Sequence, residues 1–229
     1  MPKIKSDHPA ILEGRTLFPS KVKKVTDDVK LLKLARSNSK MGVNTSIIQK
    51  GHWKGFPAFL LTLEERATCP NTCHHWEDCY GSNMFLAHRF EAGHKLEAKL
   101  ALELEELAQK YPNGFAVRLH VLGDFYSKDY VQFWDSMLQL YPMLHIWGYS
   151  AHESGAIYNK LVRVTERYPD RFWVRISSNN VHDGMEFAVR EDYEGPKTFI
   201  CPQEQGKVAD CMSCCACWET HYNVKFLTH

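Results

Sequence analysis

The sequence predicts an α/β fold: a partial (β/α) barrel of parallel strands, followed by an irregular cysteine-rich module. Three observations predict it. From residue 115 onward, apolar runs of strand length alternate with amphipathic stretches of helix length, joined by short Pro/Gly connections. The chain has 229 residues, 44% of them hydrophobic, enough for one large domain with a real core. All eight cysteines fall in two windows, 69–79 and 201–217.

Residues 1–55 form a basic lead-in with Lys21, Lys23, Lys24, Lys30, Lys33 and Arg36, and one short helix is expected around Asp27–Ala35. A solvated surface accounts for these charges; a phosphate-contacting arm is the sharper alternative. Residues 56–199 form the barrel. Phe56–Leu63 is an apolar run of strand length, and the first cysteine window follows it at once. Helices are expected over Asn83–Arg89 and Leu96–Tyr111; in the second, Leu96, Leu100, Leu104 and Leu107 recur on one stripe, and Pro112-Asn113-Gly114 ends it. Phe115–Leu122 alternates as a strand. Ser127 then suits the N-cap of a helix that carries Tyr130, Phe133, Trp134, Met137 and Leu138 on one face. Leu144–Ser150 and Phe172–Ser177 read as strands on either side of a helix over Ala156–Tyr168. Residues 200–229 hold the second cysteine window and a final strand over Asn223–Leu227.

With 28 basic and 27 acidic side chains, a net charge of +1 excludes a strongly cationic nucleic-acid binder and an acidic disordered chain. No run of about 18 apolar residues is present, so no membrane span is expected. Met1 to His8 carries lysines without an apolar core, so no secretory signal is expected and the location expected is the cytoplasm. In a reducing compartment, tight cysteine clusters bind metal more often than they form disulfides.

The first window, Cys69-Pro-Asn-Thr-Cys73-His-His-Trp-Glu-Asp-Cys79-Tyr80, has C-x3-C-x5-C spacing. Three thiolates can hold three irons of a [4Fe–4S] cluster and leave the fourth iron free for chemistry. A closed zinc site would need a fourth donor, which His74 or His75 could supply. In the second window Cys211, Cys214 and Cys217 are spaced C-x2-C-x2-C, and Cys201 completes a set of four. Four thiolates suit a second iron–sulfur cluster or zinc. Cys215 is then spare, a small buried residue.

Alternation along the strands selects further site residues. Arg118 and His120 share one face of their strand, opposite Phe115, Val117, Leu119 and Val121. Arg175 and Ser177 oppose Phe172, Val174 and Ile176, and His145, Trp147 and Tyr149 share a face. Polar residues on one face of successive strands predict a barrel interior that is polar at its mouth, as an ionic cofactor requires. Arg118 and Arg175 can hold a carboxylate or phosphate; the plainer role is pairing with acidic residues of covering helices. Ligands of α/β folds gather at the carboxyl ends of strands, where Gly123, Asp124, Ser150 and Ser177 fall.

The first window, its preceding strand and the neighbouring Tyr80 resemble the radical S-adenosylmethionine (SAM) enzymes, whose three-cysteine loop follows the first strand of a partial barrel. The usual spacing there is C-x3-C-x2-C, so this chain has three extra residues in the second interval. The resemblance implies a [4Fe–4S] cluster that binds SAM and cleaves it to a 5′-deoxyadenosyl radical. It also implies that Gly123 and Asp124 contact the methionine amine. A second resemblance spans nearly the whole chain: Leu63-Glu-Glu-Arg-Ala-Thr-Cys-Pro70, Cys79-Tyr80-Gly81, Val117–Phe125, and the C-terminal cysteines followed by a strand and His229 are similar to the phage and prophage gene product 88 family. It implies a phage or prophage origin and a bacterial host's cytoplasm.

The function expected is that of an iron–sulfur, radical-SAM-like enzyme. Asp124, Arg118, His120 and Arg175 are its candidate catalytic residues; Gly123, Asp124, Ser150, Ser177 and Tyr80 contact the small-molecule cofactor. Its unknown substrate, in a phage setting, is expected to be a nucleotide or nucleic acid. The alternative is a non-enzymatic zinc or iron–sulfur phage protein that binds host protein or nucleic acid. A redox sensor would share the cluster and need no substrate pocket.

Overall fold

The computed structural model describes residues 4–227; His229, part of the family resemblance, lies outside them. In chain order the elements are helix α1 (Pro9–Leu12), strands β1 (Val22–Lys23), β2 (Lys33–Leu34), β3 (Ala58–Leu60) and β4 (Arg89–Phe90), helix α2 (His94–Lys110), β5 (Phe115–Leu119), α3 (Lys128–Leu140), β6 (Leu144–Ser150), α4 (Gly155–Arg167), β7 (Phe172–Ser177), β8 (Phe187–Val189), β9 (Thr198–Ile200), α5 (Cys211–Cys214) and β10 (Asn223–Lys225).

Eight strands form one sheet in the order β2-β3-β5-β6-β7-β8-β10-β9. Every neighbouring pair is parallel except β2 against β3. The sheet is open, with β2 and β9 as its edges, so the expected barrel does not close. β3, β5, β6 and β7 are nonetheless neighbours in sequence order, the winding that places all crossover helices on one side. Alternation shows which side. Phe115, Val117 and Leu119 of β5, Leu144 and Ile146 of β6, and Phe172, Val174 and Ile176 of β7 pack against Leu100 and Leu104 of α2, Trp134 and Leu138 of α3, and Leu161 of α4. The opposite face is covered by the two ends of the chain. There Ala58, Leu60, Ala116 and Trp147 meet Ala35, Met41, Ile48 and Trp53 from the lead-in, and Met212, Cys215 and Trp218 from the C-terminal segment.

The elements form where local chemistry asks for them. Ser127 caps α3 by accepting the Tyr130 N–H at 3.0 Å. Gly148 is required in β6, because a Cβ there would lie 1.4 Å from the Leu119 carbonyl oxygen. Two expected helices are absent. Around Asp27–Ala35 the chain instead makes β2 and one 3-10 turn, since Leu31 and Leu32 are both buried and give their N–H groups to Glu103 at 2.7 and 2.9 Å. Over Asn83–Arg89 a single 3-10 turn at Tyr80–Asn83 leads into β4, and the carbonyls of Met84 and Ala87 accept from the Arg89 side chain. Among the described residues no helix is long and apolar enough to cross a membrane.

Glu103 thus carries two lead-in N–H groups on a buried carboxylate. Glu103→Ala is expected to lower unfolding free energy by about 2–4 kcal/mol, the cost of orphaning two buried donors. A urea midpoint close to wild type, with the Leu31 and Leu32 amides still slow to exchange, would contradict this assignment.

Candidate functional site

β3 leads at once into a run of charge. Leu63 continues the pairing, giving its N–H to the Leu122 carbonyl at 2.9 Å, and Glu64-Glu65-Arg66 follow, all buried. Glu65 accepts from Arg89 twice, Nε at 2.6 Å and Nη2 at 3.1 Å, and from Thr16 Oγ1 at 2.7 Å. Arg89 also donates to the carbonyls of Gly81 at 2.9 Å, Met84 at 3.1 Å and Ala87 at 2.6 Å. Arg66, in the left-handed region at φ 65°, gives Nε to the Trp76 carbonyl at 2.8 Å. The loop carrying Cys69, Cys73 and Cys79 is therefore fastened in its middle and at its far end.

Its near end is held by close approach. Thr68 Oγ1 donates to the Glu64 carbonyl at 2.8 Å and accepts the Asp124 N–H at 3.1 Å. Gly123, at φ +85°, leaves no room for a side chain: a Cβ would lie 2.5 Å from Thr68 Oγ1 and 2.7 Å from Leu63 Cβ. The carboxyl ends of β3 and β5 consequently touch beside Cys69.

All eight cysteines are free thiols, and Cys69, Cys73 and Cys79 are half-buried. Burial is the main cause that pushes each thiol up, Cys73 to about 12. The three also act on one another, and Asp124 adds to the rise at Cys69 and Cys73. The two histidines of the window are paired elsewhere, His74 Nε2 with Glu153 Oε1 at 2.6 Å and His75 Nδ1 with Asp78 Oδ1 at 3.0 Å. Among the described residues no group of three or more His, Cys, Asp or Glu side chains is arranged to hold a metal ion.

The second window is built on backbone. Asp210 caps α5, accepting the Ser213 N–H at 2.9 Å, and takes the Val43 N–H at 2.8 Å. Cys211 and Met212 give their N–H groups to the carbonyls of Lys40 and Met41, both at 3.1 Å. All five cysteines of the window, Cys201, Cys211, Cys214, Cys215 and Cys217, line one cleft together with Arg118, Trp147 and Tyr149. The Tyr149 hydroxyl donates to Cys217 Sγ at 3.0 Å. Cys215 sits at φ 63° with its thiol donating to the Met212 carbonyl at 3.4 Å, and it packs with Trp218 and Trp53.

The remaining expected site residues separate into distinct roles. Asp124 is buried and brackets two strand ends: Oδ1 accepts the Phe125 N–H and Oδ2 the Ala151 N–H, both at 2.7 Å. Burial raises its carboxyl, and His152, those N–H groups and the Ser150 hydroxyl oppose the rise. Ser150 also accepts the His152 N–H at 3.2 Å. Ser177 pairs with Ala188 of β8 in the ladder. Arg175 is fully buried and gives its donors to the carbonyls of Cys217 at 3.1 Å, Tyr222 at 2.7 Å and Thr220 at 2.6 Å, so it straps the C-terminal segment onto β7. Tyr80 is 44% exposed, while its buried hydroxyl end is held up by desolvation and feels Arg118, Cys79 and Cys69.

Arg118 and His120 do not share a face. The strand ends at Leu119 and its alternation ends with it. The guanidinium of Arg118 lies over the Tyr149 ring at 4.5 Å, on the cysteine side. The His120 ring stacks on Tyr130 and meets Phe125 edge-on, on the helix side, with Nε2 3.1 Å from the Tyr130 hydroxyl. Burial, aided by Arg118, pushes His120 down to about 3. The anchors Glu64, Glu65, Arg66, Thr68 and Arg89 were not selected as site residues. Their signal is a charged triplet placed directly after an apolar strand, followed by an arginine beside an apolar Phe90.

A model of the family described as gene product 88 matches residues 32–220, a stretch that contains both cysteine windows, and the chain belongs to this family. No curated protein and no solved structure matches the chain.

Glu65→Gln is expected to destabilise the fold by about 3–5 kcal/mol, because it leaves the Arg89 cation buried without its partner. Alkylation of Cys79 should accelerate in the same variant; unchanged stability and reactivity would remove the pair from its anchoring role. His120 supplies a pH test. Its folded value lies below the unfolded one of about 6.5, so the unfolded chain binds more protons and stability rises with pH. The contribution is complete above pH 6.5 and is lost as pH falls toward 3, by up to about 1.4 kcal/mol per pH unit. Urea midpoints between pH 7 and 5 should fall more steeply for wild type than for His120→Gln.

Proposed function

We propose that this member of the gene product 88 family is an iron–sulfur enzyme in which Cys69, Cys73 and Cys79 hold three irons of a [4Fe–4S] cluster and leave the fourth without a protein ligand, as in radical SAM enzymes. One observation carries the reading: three thiols sit on one fastened loop at the carboxyl end of a parallel sheet, while both imidazoles of that loop are engaged by carboxylates. A structural zinc site would call for a fourth donor beside the three thiols, and the two imidazoles of the loop are bound to Glu153 and Asp78 instead. A cluster instead spreads its thiolates over separate irons, and so tolerates donors that do not converge on one point.

When bound, such a cluster supplies one electron for reductive cleavage of the sulfonium of SAM. The chain's own part is to bind and orient. Glu65, Arg89 and Arg66 hold the loop, and Thr68 and Gly123 bring the end of β5 against it. Asp124, held by two N–H groups and lying close enough to act on Cys69, offers its remaining lone pairs to an ammonium group. Tyr80, next to Cys79, contacts the cofactor. Cys201, Cys211, Cys214 and Cys217 form the second metal site, iron–sulfur or zinc, with Cys215 outside the set. The bonds from Cys211 and Met212 to Lys40 and Met41 favour a stabilising role for this second centre. A nucleotide or nucleic acid is the substrate class that the phage setting favours.

Protein purified without oxygen should contain at least about four irons and as many sulfides per chain. With dithionite as reductant and SAM added, it should release 5′-deoxyadenosine and methionine. Cys69→Ser, Cys73→Ser or Cys79→Ser should abolish that release and lower the iron content, while Cys215→Ser leaves both unchanged. Two zinc and no iron per chain would overturn the enzyme reading and leave the non-enzymatic one.

A further inference from the structure

We infer that Arg118 anchors an anionic group, a carboxylate or a phosphate, of a small ligand entering the cleft of the second cysteine window. The buried arginines show how this fold treats a guanidinium, whereas Arg118 is half-buried. Arg89 has Glu65 and three carbonyls, Arg175 has three carbonyls, and Arg66 has the carbonyls of Trp76 and Arg15. Arg118 has none of these. Its Nε is buried without a hydrogen-bond partner, and among the described residues no carboxylate forms an ion pair with it. A desolvated cation without a counter-charge is costly, and a planar guanidinium fork is shaped to recover that cost from a carboxylate or phosphate.

The surroundings place the anion. The guanidinium rests on the Tyr149 ring, whose hydroxyl is already given to Cys217, so Tyr149 fixes Arg118 without satisfying its N–H groups. Arg118 lines the cleft of the second window, and on its other side it lies near enough to act on Tyr80, which adjoins Cys79. The enclosed part of the cleft is about 20 Å³, room for roughly one water-sized group, so the end of a ligand enters beside Arg118 and its body stays outside.

The test is thermal stability of the full chain, purified without oxygen, against rising sodium acetate and sodium phosphate at constant ionic strength, with chloride as reference. A ligand that binds only the folded state raises Tm with its concentration. Wild type should gain Tm with one or both anions beyond chloride. Acetate alone would name a carboxylate, and phosphate alone a phosphate ester. R118Q should lose the response, R118K should keep a weaker one, and R163Q, at an exposed arginine of α4, should keep all of it. Equal responses of wild type and R118Q would overturn the inference, as would no response beyond chloride in wild type. Loss of bound metal in R118Q, with wild type indifferent to both anions, would assign Arg118 to the cysteine centre instead. If R118Q does not fold, the Nε–Hε resonance of Arg118 in wild type decides: it shifts on addition of acetate or phosphate, or the inference fails.

Discussion

The cysteine loop keeps its place because one carboxylate–guanidinium pair is buried with every hydrogen bond made. Arg89 has five N–H donors, and all five are used: two on Glu65 and one each on Gly81, Met84 and Ala87. Burying such a pair adds little net stability over an apolar substitute of the same shape. What it adds here is position. The pair joins the segment that follows β3 to the turn after Cys79, so the cysteine loop ends where that segment dictates. Gly81 belongs to the same arrangement, since a Cβ there would press within 2.9 Å of Leu122 and 3.2 Å of Glu65.

The sheet spends its two faces differently, and the site follows from that division. Sequential winding puts α2, α3 and α4 on one face and leaves the other to the ends of the chain. The lead-in and the C-terminal segment meet there around Trp53, Trp147 and Trp218; the Trp53 and Trp218 rings stack at 5.5 Å. Arg175 then straps the C-terminal segment to β7 through three carbonyls. Arg118 and Tyr149, facing that side from β5 and β6, meet cysteines of the C-terminal segment rather than a crossover helix.

What could be read from the sequence depended on how local its cause was. β6 and β7 have the expected bounds because their alternation runs for seven and six residues, each after a break marked by a proline, Pro142 and Pro169. β8 and β9, three residues each, carry no periodicity to find. The helix expected over Asp27–Ala35 is missing for a tertiary reason: Glu103, some 70 residues away, takes the N–H groups that a helix would have used. That the cysteines fall in two windows is legible from the sequence alone. The Glu65–Arg89 pair is not, since its partners lie 24 residues apart. His120 fails through a boundary error, because the alternation used to orient it stops one residue earlier.

The two cysteine sets are secured by opposite means, and this bears on what each can do. The second is held by backbone bonds to the lead-in and by a capped turn, with Cys215 directed into the tryptophan core, so its sulfurs belong to the packing of the fold. The first hangs on side-chain anchors above the strand ends, with its histidines drawn outward to Glu153 and Asp78 and its thiols desolvated beside Asp124. Binding metal there requires three protons to leave groups that burial keeps protonated, so occupancy must be coupled to pH and to the chemistry of loading. A fold that gives every guanidinium nitrogen of Arg66, Arg89 and Arg175 a hydrogen bond leaves its unmet electrostatics at Arg118 and at those thiols. Natural sequences tolerate such local conflict where a ligand resolves it.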